Sequence, residues 1–555
     1  MTKKTLSIIL IFVAGLVLRF YLLGQVPNGL TTDEADVGYN AYSLIKTHKD
    51  VYGRTFPLFL QSFNDYKPGL GTYLQIPAVY FIGPSDFSIR LLPAITGSVV
   101  PLLLFFFLKL SHPKNTILPF TALVLTTLSP WEIALSRMEN VIVSVFLFLL
   151  FLIFFSLSIT KNPKYIIACA LVLAISFYEY YASIIYSPLI ALFLISLYFK
   201  FFLKSIKIVI VSIGIFLLIA SPAIVNYFSE QGRSRVSAIN VFTADVTLPV
   251  SLKEMEYDKE SSNKLFTIFH NRRFVYINTY LDNYFDFFNM DYLFVNSAKI
   301  RYFYVNYVGL LYAVELPFFF YGIWCLMRRR SKNDLLILAL LLMGPIPGAF
   351  VLGAAYPHRA LIFILAIQII SALGVAEFFQ KCKSLKARIF KISIIGLYLI
   401  SVVFFLHQYF VHSPQEFNNE SNNGAWLSTE VKTAIPVLRQ HQNNYEKIVF
   451  TWSVAKLAPA VYFMFYEKLD PTQFQTKAVL WTKDPPSFRQ IYNQIGKIEF
   501  RTIDWKHDKD LKNTLLVGYP EDFPKYNEGI VAKTYESNGK IHFVFVDPSK
   551  VKQRL

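Results

Sequence analysis

The chain has 555 residues; 54% are hydrophobic, 53 are Phe and 34 are Tyr, and only 16% are charged, against roughly a quarter in a soluble domain. This excludes a disordered chain and a coiled coil. The formal charge of +17 could suggest a polyanion partner, but the basic residues fall in short segments between long apolar runs, which excludes a nucleic-acid-binding domain.

Eleven stretches are apolar enough over about 20 residues to cross a bilayer: roughly 5–24, 87–109, 116–135, 140–159, 164–183, 184–200, 206–226, 303–327, 333–352, 360–378 and 388–407. Lys3 and Lys4 precede the first, but no small-residue cleavage site follows it, so it reads as a retained span rather than a signal peptide. The loop after it, 25–86, opens with Thr31-Thr32-Asp33-Glu34-Ala35-Asp36. Crowded like charges near a membrane raise a carboxylate pKa and can make one of them a general base; the competing reading is a solvated cap, with Asp33 starting a helix over Ala35–Lys46.

Further along the loop stands Asp65-Tyr66-Lys67-Pro68-Gly69-Leu70. A lysine beside a turn-fixing proline can hold a phosphate as a point charge, or simply snorkel to the interface. At the next boundary comes Ser129-Pro130-Trp131-Glu132, then Arg137 and Glu139. Charges at the mouth of a bundle are paired or functional, and an Arg137–Glu139 or Arg137–Asp33 pair is the structural reading. Segment 227–301 becomes aromatic towards its end, from Tyr280 to Phe294, which suits the headgroup region. Tyr356-Pro357-His358-Arg359 then places a cation between two spans; the choice there is an anionic ligand or a headgroup contact.

The tail from about 411 has nearly balanced charge and strand-like runs at Lys447–Trp452, Thr514–Gly518 and Ile541–Asp547, with a helical pattern over Val454–Tyr466. Two domains are expected: a transmembrane domain over 1–410 with outer loops 25–86 and 227–301, and a small α/β domain over 411–555. No nucleotide-binding motif occurs. Cys169, Cys325 and Cys382 form neither a CxxC pair nor an even framework, so no zinc site or disulfide scaffold is expected.

Orientation follows from the short loops. With the N-terminus cytoplasmic, the inside segments hold Lys3 and Lys4, Lys109 and Lys114, Lys161 and Lys164, Lys200 to Lys207, Arg328 to Lys332, and Lys381 to Arg388, with Asp334 their one acid. That alternation is the positive-inside pattern. It puts the acidic loop and the tail outside.

The arrangement resembles the GT-C class of membrane glycosyltransferases, in particular bacterial relatives of the dolichyl-phosphate-mannose protein mannosyltransferases and the lipid A aminoarabinose transferases (glycosyltransferase family 39-like). Asp33-Glu34 matches that family's acidic pair after the first span, and Asp65-Tyr66-Lys67-Pro68-Gly69-Leu70 its Tyr-x-Lys-Pro-Pro-Leu-like element, with Tyr66 directly before Lys67 and Gly69 where a second Pro is common. Ser129-Pro130…Arg137…Asn140 is similar to a third element, with the acid displaced to Glu139. The resemblance covers about residues 5–410.

It implies a polytopic α-helical enzyme that transfers one sugar from a polyprenyl-phosphate donor to a hydroxyl of a glycan, lipid or protein on the outer face of the cell membrane, by inverting displacement. Asp33 or Glu34 would be the base. Lys67, helped by Arg137, His358 and Arg359, would hold the lipid phosphate, with Asp65, Tyr66 and Glu139 as further candidates. Some members use a divalent metal; the sequence has no clear His ligand cluster for an obligatory one. A transporter or flippase of lipid-linked sugars is the alternative, and a non-catalytic scaffold the third class. Few acids sit in mid-span (Glu179 and Glu315 are the main ones), which weighs against transport.

Overall fold

The computed structural model describes residues 2–62, 65–229, 232, 240–243, 247–260, 269–297, 305–353, 356–381, 384–414, 427–451, 459–477, 479–480, 492–524, 529–535 and 539–551. Cys382 lies outside them, as does the first part of the expected helix at 454–466. The elements begin with α1 (Lys3–Phe20), α2 (Thr32–Thr47), β1 (Phe59–Ser62), β2 (Asp65–Pro68), α3 (Leu70–Ile82) and α4 (Asp86–Ser111). They continue with α5 (Leu118–Leu128), α6 (Pro130–Leu135), α7 (Ile142–Thr160), α8 (Tyr165–Ser176), α9 (Ser183–Leu197), α10 (Phe199–Lys204) and α11 (Ile206–Phe228).

Six helices among the described residues are long and apolar enough to cross a membrane: Asp86–Ser111, Ile142–Thr160, Ile206–Phe228, Lys332–Ala349, Leu361–Lys381 and Arg388–His412. They coincide with six of the eleven expected spans. The other five expected spans hold shorter or more charged helices. α5, α8 and α9 have 11, 12 and 15 residues and Leu316–Arg329 has 14, while α1 has 18 with three basic residues. The protein is a multi-pass membrane protein.

The chain divides into two compact units. The first contains residues 1–20, 93–136 and 140–405. Its central helix is Leu361–Lys381, buried at every position from Leu361 to Gly374. A helix apolar on all sides needs neighbours on all sides. The backbones meet closely where both helices carry glycine: a Cβ on Gly374 would lie 1.9 Å from the Phe318 carbonyl oxygen, and one on Gly322 2.1 Å from that of Ile370. Such small-residue contacts are how helices pack where lipid supplies no hydrophobic drive. At the other extreme, only 17% of α11 and of the Arg388–His412 span is buried, as befits lipid-facing helices. Arg19 and Glu132, both fully buried, form an ion pair, and Arg19 also donates to the carbonyl oxygens of Gly15 (3.0 Å) and Thr127 (3.1 Å).

The second unit contains residues 21–92, 137–139 and 406–555. It holds a seven-stranded mixed sheet in the order β4-β5-β6-β3-β7-β9-β8, made of β3 (Lys447–Phe450), β4 (Val479–Leu480), β5 (Tyr492–Ile495), β6 (Ile498–Phe500), β7 (Thr514–Gly518), β8 (Ile530–Tyr535) and β9 (Ile541–Val546). β3 runs parallel to β6 and β7, and the remaining pairs are antiparallel. The strands anticipated at 447, 514 and 541 are thus central ones, and the helix Pro459–Tyr466 packs beside them. The loop at 25–86, which the sequence assigns to the transmembrane domain, packs with the tail instead. Ala35 and Tyr39 of α2 share one apolar core with Ile448, Phe450, Tyr462, Leu515 and Phe543.

Candidate functional site

The acidic segment folds as a helix start, with its cap two residues earlier than expected. Thr31, not Asp33, is the N-cap of α2: its hydroxyl accepts from the Glu34 N–H at 3.1 Å, and Glu34 Oε2 accepts from the Thr31 N–H at 2.8 Å. This is a capping box, and the Thr-x-x-Glu spacing that specifies it was readable in the sequence. Glu34 is buried, and its Oε1 takes a hydrogen bond from Arg90 Nε at 3.2 Å and from the Glu139 N–H at 3.3 Å. Arg90, fully buried, also donates to the carbonyl oxygens of Leu23 (3.3 Å), Pro27 (2.7 Å) and Gly29. Both carboxylate oxygens of Glu34 are therefore engaged in holding the loop.

Asp33 points elsewhere. A helix places residues three apart on one face, and Asp33 and Asp36 share Lys67: Lys67 Nζ lies 2.6 Å from Asp33 Oδ1 and 3.6 Å from Asp36 Oδ2. The Asp33 side chain keeps 33% exposure and that of Lys67 20%, so this pair is partly open while Glu34 is sealed. Lys67 is delivered by the β1–β2 hairpin, opposite Leu60. The hairpin explains Gly69: its N–H donates to the Leu58 carbonyl at 3.0 Å, which a proline could not do, and a Cβ would sit 2.6 Å from that oxygen. Tyr66 pairs with Gln61 across the hairpin, its ring under the Arg54 guanidinium at 4.8 Å. Asp65 opens β2, and its side chain lies outside the described residues.

Glu139 closes the group. Its backbone is left-handed, at φ 43°, and its Oε1 accepts from the Thr31 hydroxyl at 3.1 Å. Burial, then the negative charges of Asp33 and Glu34, push its carboxyl up to about 8. Burial likewise pushes Asp36 up to about 6, opposed by Lys67. Arg137 is fully buried; it donates to the carbonyl oxygens of Tyr21 (2.7 Å) and Val26 (2.8 Å), and stacks on Phe410 at 4.8 Å. It braces the chain entering the loop.

The second unit thus brings together Asp33, Glu34, Lys67 and Glu139, and adds Asp36 and Arg90. Arg90 lies inside an apolar run, and nothing in its spacing signalled a pairing with Glu34. His358 and Arg359 belong to the first unit, in the turn Pro357–Arg359. Arg359 donates to the Leu352 carbonyl at 3.2 Å and lies over the Tyr356 ring at 4.4 Å. His358 and Arg359 line a pocket with Ser144, Tyr180 and Tyr186.

As for a divalent metal, Asp33 and Asp36 face Lys67, Glu34 faces Arg90, and Glu139 accepts from the Thr31 hydroxyl. No three His, Cys, Asp or Glu side chains gather as a ligand set among the described residues.

Residues 9–230 match the family model described as dolichyl-phosphate-mannose-protein mannosyltransferase. No curated protein matches the sequence. Among solved structures the chain is similar to ArnT from Cupriavidus metallidurans in the apo state, at 12% identity over 100% of both chains with a TM-score of 0.54. It is equally similar to the same protein bound to undecaprenyl phosphate, at 11% identity over 99% of this chain and 100% of that one, with a TM-score of 0.54. An apo oligosaccharyltransferase from Archaeoglobus fulgidus aligns at 11% identity over 99% of this chain and 75% of its own, with a TM-score of 0.47. The stretch that carries Asp33, Lys67 and Arg137 lies within the part matching the mannosyltransferase model, and the chain as a whole shares its fold with ArnT.

Proposed function

We propose that this protein transfers a single sugar from a polyprenyl-phosphate donor to an acceptor hydroxyl on the outer face of the cytoplasmic membrane, with inversion at the anomeric carbon. The observation that carries the reading is the partly open Asp33–Lys67 pair, a candidate base and a candidate phosphate ligand 2.6 Å apart, within the part of the chain that matches the mannosyltransferase model. The fold shared with ArnT, whose structure with undecaprenyl phosphate aligns over the whole of that chain, supports a lipid-phosphate donor.

Asp33 is the base in this reading, because both oxygens of Glu34 are engaged by the helix cap and Arg90. The donor's phosphate draws Lys67 away from Asp33, which frees the carboxylate to take the acceptor's proton. The acceptor oxygen bonds to the anomeric carbon as the bond from that carbon to the phosphate oxygen breaks. The departing polyprenyl phosphate gains negative charge, and Lys67 stabilises it. Arg137 is assigned to the scaffold. The acceptor is a glycan, lipid or protein hydroxyl, and the tail faces the same side as the loop it packs with.

The test is to incubate the purified protein with polyprenyl-phosphate sugars and acceptor membranes and to measure released polyprenyl phosphate. Release that depends on Asp33 is the expected result. No release with any donor, together with movement of labelled donor across vesicles, would establish the transporter reading instead.

A further inference from the structure

In the first unit, the helix Arg272–Asp286 begins at Asn271, whose side chain caps it by accepting from the Arg273 N–H at 2.9 Å. Its 15 residues make a rod of about 22 Å, short of the roughly 30 Å of a bilayer core. Phe274, Ile277, Leu281 and Phe285 follow the three-and-four spacing that lines one helix face, and all four are exposed, Phe285 at 64%. Asn278, Asp282 and Asp286 form an exposed polar row beside them, and Tyr276 on the far side is buried. Large apolar side chains exposed in one contiguous row mark a surface that meets a protein partner or a membrane.

The other face of the helix decides between these. Asn283 Nδ2 donates to the carbonyl oxygens of Ala349 (3.2 Å) and Val351 (3.1 Å), where the span Lys332–Ala349 ends. The Tyr284 hydroxyl donates to the Leu342 carbonyl oxygen of the same span at 2.8 Å. Just past the helix, Phe288 meets Phe363, in the first turn of the span Leu361–Lys381, with ring centres 4.9 Å apart. The helix therefore rests on two spans near the ends away from Lys332 and Lys381. Leu342 is itself 56% exposed on its span, so the lipid-facing surface of that span runs on towards the exposed row. By helix rise Leu342 stands about 10 Å inside the end of the span, which matches the depth of about 5–10 Å at which interfacial helices bury their apolar face. Arg272 and Arg273 are balanced by Asp282 and Asp286, so the attraction is apolar burial and needs no anionic headgroup.

We infer that the helix Arg272–Asp286 docks on the bilayer surface, with Phe274, Ile277, Leu281 and Phe285 in lipid at the boundary of headgroups and acyl chains, in the leaflet where Ala349 and Leu361 emerge. In the orientation proposed above this is the outer leaflet. The docking surface itself does not depend on the transfer reaction. It ties the long segment between α11 and the later spans to the membrane.

The experiment uses the full chain in phosphatidylcholine nanodiscs, with Cys169, Cys325 and Cys382 replaced by Ala. A spin label is attached in turn to Leu281→Cys, Phe285→Cys and Asp286→Cys, and its collision rates with oxygen, which concentrates in hydrocarbon, and with a water-soluble nickel chelate are measured. The oxygen-to-nickel ratio should be at least threefold higher at positions 281 and 285 than at 286. Equal ratios at the three positions would overturn the docking. Shielding of 281 and 285 from both reagents would overturn it in favour of a protein cover, such as a second copy of the chain. If the cysteine-free protein does not fold, judged by its melting profile, a photoreactive benzoylphenylalanine at position 281 or 285 of the otherwise natural chain carries the test. Capture of phosphatidylcholine is then the expected result, and capture of a second chain or of no lipid overturns the inference.

Discussion

Lys67 Nζ stands 2.6 Å from Asp33 Oδ1, across from a helix start whose neighbouring acid, Glu34, is locked onto Arg90 at 3.2 Å. Two adjacent carboxylates therefore sit in opposite circumstances: one is partly open beside a partly open ammonium, the other is sealed against a buried guanidinium. This asymmetry yields the first prediction. Asp33→Asn should lower turnover by at least 100-fold, the lower range for loss of a positioned general base, with the melting temperature within a few degrees of wild type. Lys67→Met should raise the donor KM and lower kcat together, since the lysine is used by donor and leaving group alike. Steady-state assays of released polyprenyl phosphate separate the two. A folded Asp33→Asn protein with wild-type turnover would remove Asp33 from the base role.

Glu34 and Arg90 should behave as structural residues. Breaking a buried pair by truncating one partner typically costs about 3–5 kcal/mol, because the other charge is left behind. Arg90→Met also abandons the carbonyl groups of Leu23 and Pro27, so it should be the more damaging change. Thr31→Ala should cost about 1 kcal/mol through the lost N-cap. Thermal melts of the purified variants give the order Arg90→Met, Glu34→Ala, Thr31→Ala, from most to least destabilised. Thr31→Ala should retain most of its turnover.

Glu139 supplies a pH test. Its carboxyl is pushed up to about 8, first by burial and then by Asp33 and Glu34, so it is protonated at neutral pH. As pH rises through about 8 it ionises, and a further negative charge, added to those of Asp33 and Asp36, appears near Lys67. That charge repels a phosphate arriving at Lys67. In wild-type protein kcat/KM should therefore fall above about pH 8, and Glu139→Gln, which cannot ionise, should lack that alkaline limb. Identical profiles would show that Glu139 does not sense the donor site.

Six of the eleven spans and the sheet-bearing tail were legible because each rests on local pattern: apolar run length and strand-like alternation. The division of labour between Asp33 and Glu34 was not, since it depends on Arg90, 56 residues away in sequence and inside an apolar helix. The Thr31-x-x-Glu34 capping spacing was available and would have assigned Glu34 to the helix start. The packing of α2 against Tyr462 and the sheet was equally hidden, because it joins residues some 430 positions apart: Thr32 Oγ1 lies 3.0 Å from the Tyr462 hydroxyl. Arg137 stands out in the sequence for its charge, yet it donates to the carbonyl oxygens of Tyr21 and Val26, groups that no side-chain pattern reveals.

Asp36 gives the last prediction, with a direction opposite to that of most paired carboxylates. Burial raises it from 3.8 to about 6 even though Lys67 at 3.6 Å pulls it down; Asp33 and Asn40 also face it, the first pushing it up and the second donating to its Oδ1 at 3.2 Å. The folded protein therefore binds the Asp36 proton more tightly than the unfolded chain does. Between about pH 4 and 6 the folded state holds more protons, and stability falls as pH rises through that window, by about 3 kcal/mol in total from a shift of roughly two units. Asn at this position carries no such proton. The melting temperature of Asp36→Asn minus that of wild type should accordingly grow more positive from pH 4 to pH 7 and level off above it. A difference that stays constant across the range would mean that Asp36 is as well solvated in the folded protein as in the unfolded chain, and that Lys67 answers to Asp33 alone.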